Sequence, residues 1–278
     1  MAEQGPRLAA YRDPPPEGVR RPPGSGPARA AEPLLRSNLL TRRFGGLTAV
    51  DAVSIDLQVG ELHAVIGTNG AGKSTLVNML SGELPASGGS IHFDGHDITD
   101  WSQPRRARAG IGRSYQRTTI FPAFSVLENC RLCAQAMRPR AAVVWEAAES
   151  CATSLSAAHE ALASAGLADA AMRNAGTLSH GGKRQLEIAM CLATRPRVLL
   201  LDEPLAGMGA EETGRMLELL AALKRTHAVL LVEHDMDAVF RIADRITVMV
   251  NGGVIASDAP DAIRASREVQ VAYLGEGR

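Results

Sequence analysis

The chain has 278 residues, room for one large domain or two small ones at ~100–200 residues per domain. It is 45% hydrophobic and 22% charged, an ordinary globular composition able to bury a sizeable core. Lys+Arg and Asp+Glu both number 30, so the formal net charge is zero, which argues against a broad nucleic-acid footprint. No apolar run approaches the ~20 residues needed to span a bilayer. The N-terminus lacks a continuous apolar stretch, which argues against a secretory signal.

Residues 1–33 carry Pro6, Pro14, Pro15, Pro16, Pro22, Pro23, Pro27 and Pro33 among Gly, Arg and Glu. Such a segment has little apolar material to bury and is expected to be a disordered, solvated extension rather than a docking tail. Order is expected from Leu34. Val53, Ile55 and Leu57 alternate with Ser54 and Asp56, the pattern of a half-buried strand. Leu62–Ile66 is a short apolar run ending at a glycine-rich loop, and a helix is predicted from Ser74 or Thr75 to Leu80. Ser90–Phe93 reads as a strand closed by the Asp94-Gly95 turn signal. From Val126 to Leu167 the chain is rich in Ala, Leu and Glu and reads as mostly helical. Cys130 and Cys133 fall in this stretch. With no second ligand pair at matching spacing, they read as plain helix residues rather than a zinc or redox pair. Cys151 and Cys191 complete a small set that suits a reduced compartment. Val198–Leu201 and Val229–Val232 are continuous apolar runs, as expected of buried parallel strands. Ile246–Val250 and Val254–Ala256, joined by Asn251-Gly252-Gly253, read as a hairpin. The sum is an α/β core with a helical insertion.

Gly67-Thr68-Asn69-Gly70-Ala71-Gly72-Lys73-Ser74 satisfies every fixed position of the phosphate-loop pattern, between a strand and a helix. Gly70 and Gly72 let backbone N–H groups curl around phosphates, and the following helix points its positive end at the same anion. Lys73 supplies a point charge and Ser74 a hydroxyl for Mg²⁺. Alone, this loop predicts only a nucleoside triphosphate. The strand Val198–Leu201 ends in Asp202, placed to hold Mg²⁺, and Glu203, placed to orient or deprotonate water. The strand Val229–Val232 ends in Glu233-His234-Asp235, and a neutral imidazole at His234 suits a γ-phosphate contact. Gln116 offers an amide oxygen to the metal or the attacking water.

Leu178-Ser179-His180-Gly181-Gly182-Lys183-Arg184-Gln185 precedes the helical run Leu186–Ala193. Here the chain resembles the ABC (ATP-binding cassette) ATPases, whose signature is L-S-G-G-Q or a close variant. The resemblance covers residues 34–278, because Gly67–Ser74, Gln116, Leu178–Gln185, Leu199–Glu203 and His234 occur in family order. It implies a P-loop NTPase (RecA-like) core, an antiparallel β subdomain, and an inserted α-helical subdomain at about 117–190 that carries the signature. It implies ATP and Mg²⁺ as ligands. ATP would contact Phe44, Val53 and the loop Asn69, Gly70, Ala71, Gly72, Lys73, Ser74 and Thr75. The metal would meet Ser74, Gln116 and Asp202, and catalysis would rest on Glu203, His234, Gln116 and Lys73. Phe44 would stack on adenine, with a core position as its structural alternative. Ser179, His180, Gly181 and Gly182 would bind the γ-phosphate held by a second ATPase subunit, identical or different.

Within the family the chain is most similar to the ATPase subunits of importers for branched-chain amino acids and related amides or urea. The residues that carry this are Leu186–Met190, Leu205-Ala206-Gly207-Met208-Gly209, Val232–Met236 and Ala272-Tyr273-Leu274-Gly275. That likeness implies a peripheral subunit on the cytoplasmic face of the cell membrane. Two permease subunits would dock near Thr119–Leu127, with a solute-binding protein as an indirect partner and no nucleic acid. Ile120, Phe121, Phe124 and Val126 would line the docking groove, or simply pack. Three departures stand out: Thr68 for the commoner proline, His180 with Lys183-Arg184 in the signature, and Gly209 where many members carry aspartate. The alternatives are the ATPase of an exporter or lipid extractor, a soluble cassette ATPase, and an ATP-binding regulator without turnover. A single phosphate loop without heptads weighs against the second, and Glu203 with His234 weighs against the third.

Overall fold

A computed structural model describes residues 32–115, 119–138 and 151–274. Residues 1–31 of the proposed tail, Gln116, part of the helical stretch and the terminal Gly275 lie outside the described residues. The chain runs β1 (Leu35–Phe44), β2 (Leu47–Leu57), β3 (Leu62–Gly67), α1 (Lys73–Ser81), β4 (Gly88–Phe93), β5 (His96–Asp97), α2 (Gln103–Ala109) and β6 (Ile111–Arg113). Then follow α3 (Val126–Ala136), α4 (Ala152–Ser164), α5 (His180–Leu192), β7 (Val198–Asp202), α6 (Ala210–Leu223) and β8 (Ala228–Val232). It closes with α7 (Met236–Ile242), β9 (Arg245–Val250), β10 (Gly253–Asp258), α8 (Pro260–Ala265) and α9 (Arg267–Leu274).

The strands form two sheets. One is antiparallel, in the order β2-β1-β4-β5. The other has the order β10-β9-β3-β8-β7-β6 and is parallel except for the edge pair β10–β9. Its central strands β7 and β8 are apolar up to Asp202 because both faces are covered. Leu62, Ala64, Ile66, Leu199, Leu201, Val229 and Leu231 pack with the face that receives α3–α7. Val65, Val198, Leu200, Leu230 and Val232 pack with α1 and the antiparallel sheet. Alternate residues of each strand thus enter opposite cores, as a period of two requires.

β6 and β7 are parallel neighbours, and parallel neighbours need a crossover. Here the crossover is enlarged to hold α3, α4 and α5, the expected helical insertion. The hairpin turn is tighter than the sequence pattern implied. Gly253 already pairs with Val250, leaving Asn251 and Gly252 as a two-residue turn, both with positive φ. That turn also ties two other elements: Gly252 N–H donates to Ala71 O at 3.1 Å, and Gly252 O accepts from Asp51 N–H at 2.8 Å.

Two buried polar groups fix the frame. Arg106 donates to Met79 O (2.7 Å), Leu80 O (2.9 Å), Thr99 O (2.8 Å) and Trp101 O (3.1 Å). The first two are carbonyls of the last turn of α1, of which Met79 O also accepts from the C-cap Gly82 N–H at 3.1 Å. Burial pushes the guanidinium pKa down to about 10, so it remains charged at neutral pH. His63 of β3 is 1% exposed. Its ring bonds Thr247 Oγ1 (2.7 Å) and Asp56 O (3.2 Å), and burial pushes its pKa down to about 4.

Replacing Arg106 with Leu removes four hydrogen bonds to backbone carbonyls, and a loss of about 3–5 kcal/mol is expected in urea unfolding. His63 gives a pH signature. Its folded pKa lies below the unfolded one, so the unfolded chain takes up the proton first. Its contribution is complete above pH ~6.5 and fades as pH falls toward 4, by about 3 kcal/mol at most. A His63→Gln variant should lose less stability than wild type over that interval, measured by urea midpoints at successive pH values.

Candidate nucleotide site

The carboxyl end of β3 runs into the loop 68–72, and α1 begins at Lys73. Gly72 is the N-cap of α1, with φ +96°, and a Cβ there would lie 2.2 Å from Ala49 O. Only glycine fits that conformation and that approach. No side chain caps α1 and no acid occupies its first turn, so its leading N–H groups face outward for an anion. Asn69 and Gly70 are exposed, Ala71 is buried, and Ser74 and Thr75 are half-buried. Lys73 folds back over its own loop and donates to Gly67 O (2.7 Å) and Thr68 O (3.0 Å). Burial lowers its pKa, while the nearby charges of Glu203 and Asp202 raise it.

Strand β7 delivers its carboxylate to the same place. The Ser74 hydroxyl donates to Asp202 Oδ1 at 3.4 Å. Burial raises the pKa of Asp202, the Ser74 bond lowers it and Glu203 raises it. Glu203 follows in a left-handed conformation (φ +50°), uncommon for a residue with a side chain. Its N–H donates to Val232 O at 2.9 Å. Strand β8 is followed by Glu233, fully buried, and His234, whose side chain is largely exposed. The structure therefore gathers Lys73, Ser74, Asp202 and Glu203 at the carboxyl ends of β3 and β7, with His234 just past the end of β8, the strand between them.

The aromatic at the end of β1 stands outside the core. Phe44 is 46% exposed, with the Arg42 guanidinium 4.6 Å from its ring centroid. Val53 does not line this side, contrary to the adenine contact expected of it. It is 1% exposed, pairs with Leu40 in the β1–β2 register and packs in the core behind the antiparallel sheet. It is Ala49, half-buried, whose carbonyl lies against Gly72 of the loop.

The signature turn is a second helix N-terminus. Ser179 caps α5, accepting from Gly182 N–H at 3.1 Å. Its hydroxyl donates to Glu212 Oε1 (2.8 Å), and Gly181 N–H reaches the same oxygen at 3.3 Å. The Ser179 bond is the chief reason that the Glu212 carboxyl lies below its usual range. A Cβ on Gly181 would meet that carboxylate at 2.6 Å. His180 Nε2 lies 3.0 Å from Ala206 O, in the loop after β7. His180 and Glu212 thus tie the signature to the loop after β7 and to the first turn of α6 within one chain.

Farther along α5, Arg184 donates to Tyr115 O and to Glu187 Oε2, both at 3.0 Å, and Glu187 Oε1 accepts from Thr119 N–H at 2.8 Å. Two side chains of one helix therefore hold the backbone on both sides of residues 116–118. Phe121 and Phe124 are stacked at 5.6 Å and exposed, whereas Val126 is buried and Ile120 packs on the core. Sequence reasoning missed Glu187, Glu212 and Glu233 as partners. Each meets a group 28 or more residues away, and no local pattern announces such a bond.

The family model for ABC transporters matches residues 50–206. The chain is 39% identical over 255 residues to the high-affinity branched-chain amino acid transport ATP-binding protein BraF of Pseudomonas aeruginosa, covering 88% of this chain and 99% of that protein. It is equally similar, at 39%, to LivG of Escherichia coli, which carries the same description. A nucleotide-free ATP-binding cassette from an ABC transporter superposes with a TM-score of 0.78 at 29% identity, over 87% of this chain and 99% of that one. The ADP conformation of such a cassette superposes with the same score. With the uncapped phosphate-loop helix, the signature turn and the strand-end carboxylates arranged as above, the chain belongs to the ABC transporter family, as one of its ATP-binding, ATP-hydrolysing subunits.

Proposed function

We propose that this subunit drives import of branched-chain amino acids or related small amides or urea, working as a dimer of cassettes beneath two permeases on the cytoplasmic face of the membrane. The observation that carries the catalytic part is the convergence of Lys73, Ser74 and Asp202 on the uncapped N-terminus of α1. The solute class rests on the names of BraF and LivG. Among the described residues no helix is long and apolar enough to cross a membrane, so the permeases would be separate chains or segments.

In this reading Phe44 stacks on adenine. The N–H groups from Asn69 to Thr75 cradle the phosphates, and Lys73 leaves its loop carbonyls to meet the β- and γ-phosphates. The hydroxyl of Ser74 and the carboxylate of Asp202 are hard oxygen donors side by side, which fits Mg²⁺, with Gln116 as a third donor. The bound metal supplies neutralisation of the charge developing on the phosphate oxygens. Glu203 accepts a proton from the attacking water, whose oxygen joins the γ-phosphorus as the bond to the β,γ-bridging oxygen breaks. His234 contacts the γ-phosphate. Ser179, His180, Gly181 and Gly182 close on that phosphate from the partner cassette. Gln116 couples its presence to the docking face near Thr119–Leu127, where the stacked Phe121 and Phe124 suit an amphipathic helix of the permease.

Glu203→Gln should lower ATP turnover by about 10²- to 10⁴-fold and leave an ATP-bound dimer on gel filtration. Normal phosphate release by that variant would remove Glu203 from the mechanism. Gln116→Ala, reconstituted with permeases in vesicles, should depress solute uptake more than ATP affinity. Equal uptake in the two proteins would refute the coupling role.

A further inference from the structure

Among the described residues, Glu233 is the most deeply buried carboxylate, and the mechanism above does not use it. Glu233 is 0% exposed, at the end of β8 and directly before His234. Its Oε1 accepts from Leu205 N–H at 2.8 Å, and its Oε2 accepts from His234 N–H at 3.2 Å. Its own N–H points to Val65 O of β3 at 3.4 Å. The loop after β7 is met twice by the end of β8: Glu203 N–H bonds Val232 O, and Leu205 N–H bonds the Glu233 carboxylate. Between them stands Pro204, which has no N–H to give. Every backbone donor from 203 to 205 is therefore tied to two consecutive residues of the neighbouring strand.

Glu203 adopts a left-handed backbone that its side chain disfavours, so something nearby must hold it. The two bonds that bracket it do so. The second oxygen of Glu233 fixes the backbone of His234 in the same stroke. We infer that Glu233 is a positioning residue, a single buried carboxylate that sets the backbone of Glu203 and of His234 relative to each other beneath the γ-phosphate. This rests on the roles given to those two residues above. An ionised carboxylate is suited to the task because both oxygens accept. Glutamine has the same shape, but one of its ends donates, so one of the two N–H groups would face another donor.

The test uses the full chain. Glu233→Gln should lower kcat for ATP by about 10- to 100-fold, the scale of a partner that orients a reacting group. Affinity for ATP, read without Mg²⁺ by a fluorescent analogue, should be unchanged, because Glu233 touches neither the phosphate loop nor Phe44. Misplacing Glu203 should also make Glu233→Gln accumulate an ATP-bound dimer on gel filtration, as Glu203→Gln does. Glu233→Asp keeps two acceptor oxygens and should turn over faster than Glu233→Gln. Wild-type turnover in Glu233→Gln overturns the inference, as does a parallel loss of ATP affinity or the reverse order of the Asp and Gln variants. Should Glu233→Gln not fold, Glu233→Asp must still lose kcat with ATP affinity retained, and wild-type kcat there overturns it equally. If Glu203→Gln itself never forms an ATP-bound dimer, it is the catalytic reading of Glu203 that falls, independently of anything Glu233 does.

Discussion

The structure depends on burial of the parallel sheet on both faces. Strands β3, β7 and β8 cannot place a charge along their length without stranding it in one core or the other. The one acidic residue in these strands, Asp202, therefore stands at a strand end, buried His63 is held neutral, and the parallel register makes the strands emerge together. Val65 lies opposite Val232, and Asp202 opposite Val232 from the other side. Asp202 stands at that level, Glu203 and Glu233 one residue beyond it, and the phosphate loop that follows β3 brings Ser74 back to Asp202. Ligands gather in open α/β sheets at this end for the same reason.

Two helix N-termini at separate places repeat one solution. Neither α1 nor α5 has an acid in its first turn, so each keeps its positive end unneutralised by its own residues. They differ in what now meets that charge. At α1 the loop is held by Lys73 turned inward on its own carbonyls. At α5 the carboxylate of Glu212 lies on Ser179 and Gly181. A carboxylate is the nearest thing a protein carries to a phosphate oxygen, so its seat on this turn marks where the chain favours negative charge.

Much of this was legible in the sequence, because the signals were local. The glycine spacing at 67–74, the apolar runs ending in acids, and the Asn251-Gly252 turn each state their geometry in a few consecutive residues. Strand β1 did not show itself. Register shifts after Ser37 and Leu40 and a left-handed Leu39 break the alternation on which strand reading relies. The misplacement of Val53 has the same origin: the bulged register sets it against Leu40, deep in the core, and brings Ala49 to the loop instead. The bonds of Glu187, Glu212 and Glu233 lay beyond reach, since a lone glutamate in sequence carries no address for its partner.

The hairpin at Asn251–Gly252 has a bearing on how the protein is made. Ala71 of the phosphate loop is met by Gly252, and His63 of β3 by Thr247, 184 residues onward. The nucleotide loop is among the first ordered pieces to leave the ribosome, yet its last supports are among the final ones. Contacts of that separation form late and slowly. A nascent chain stalled before β9 would carry the full loop sequence with its supporting strand unpaired on that side, an exposed apolar edge of the kind that chaperones cover.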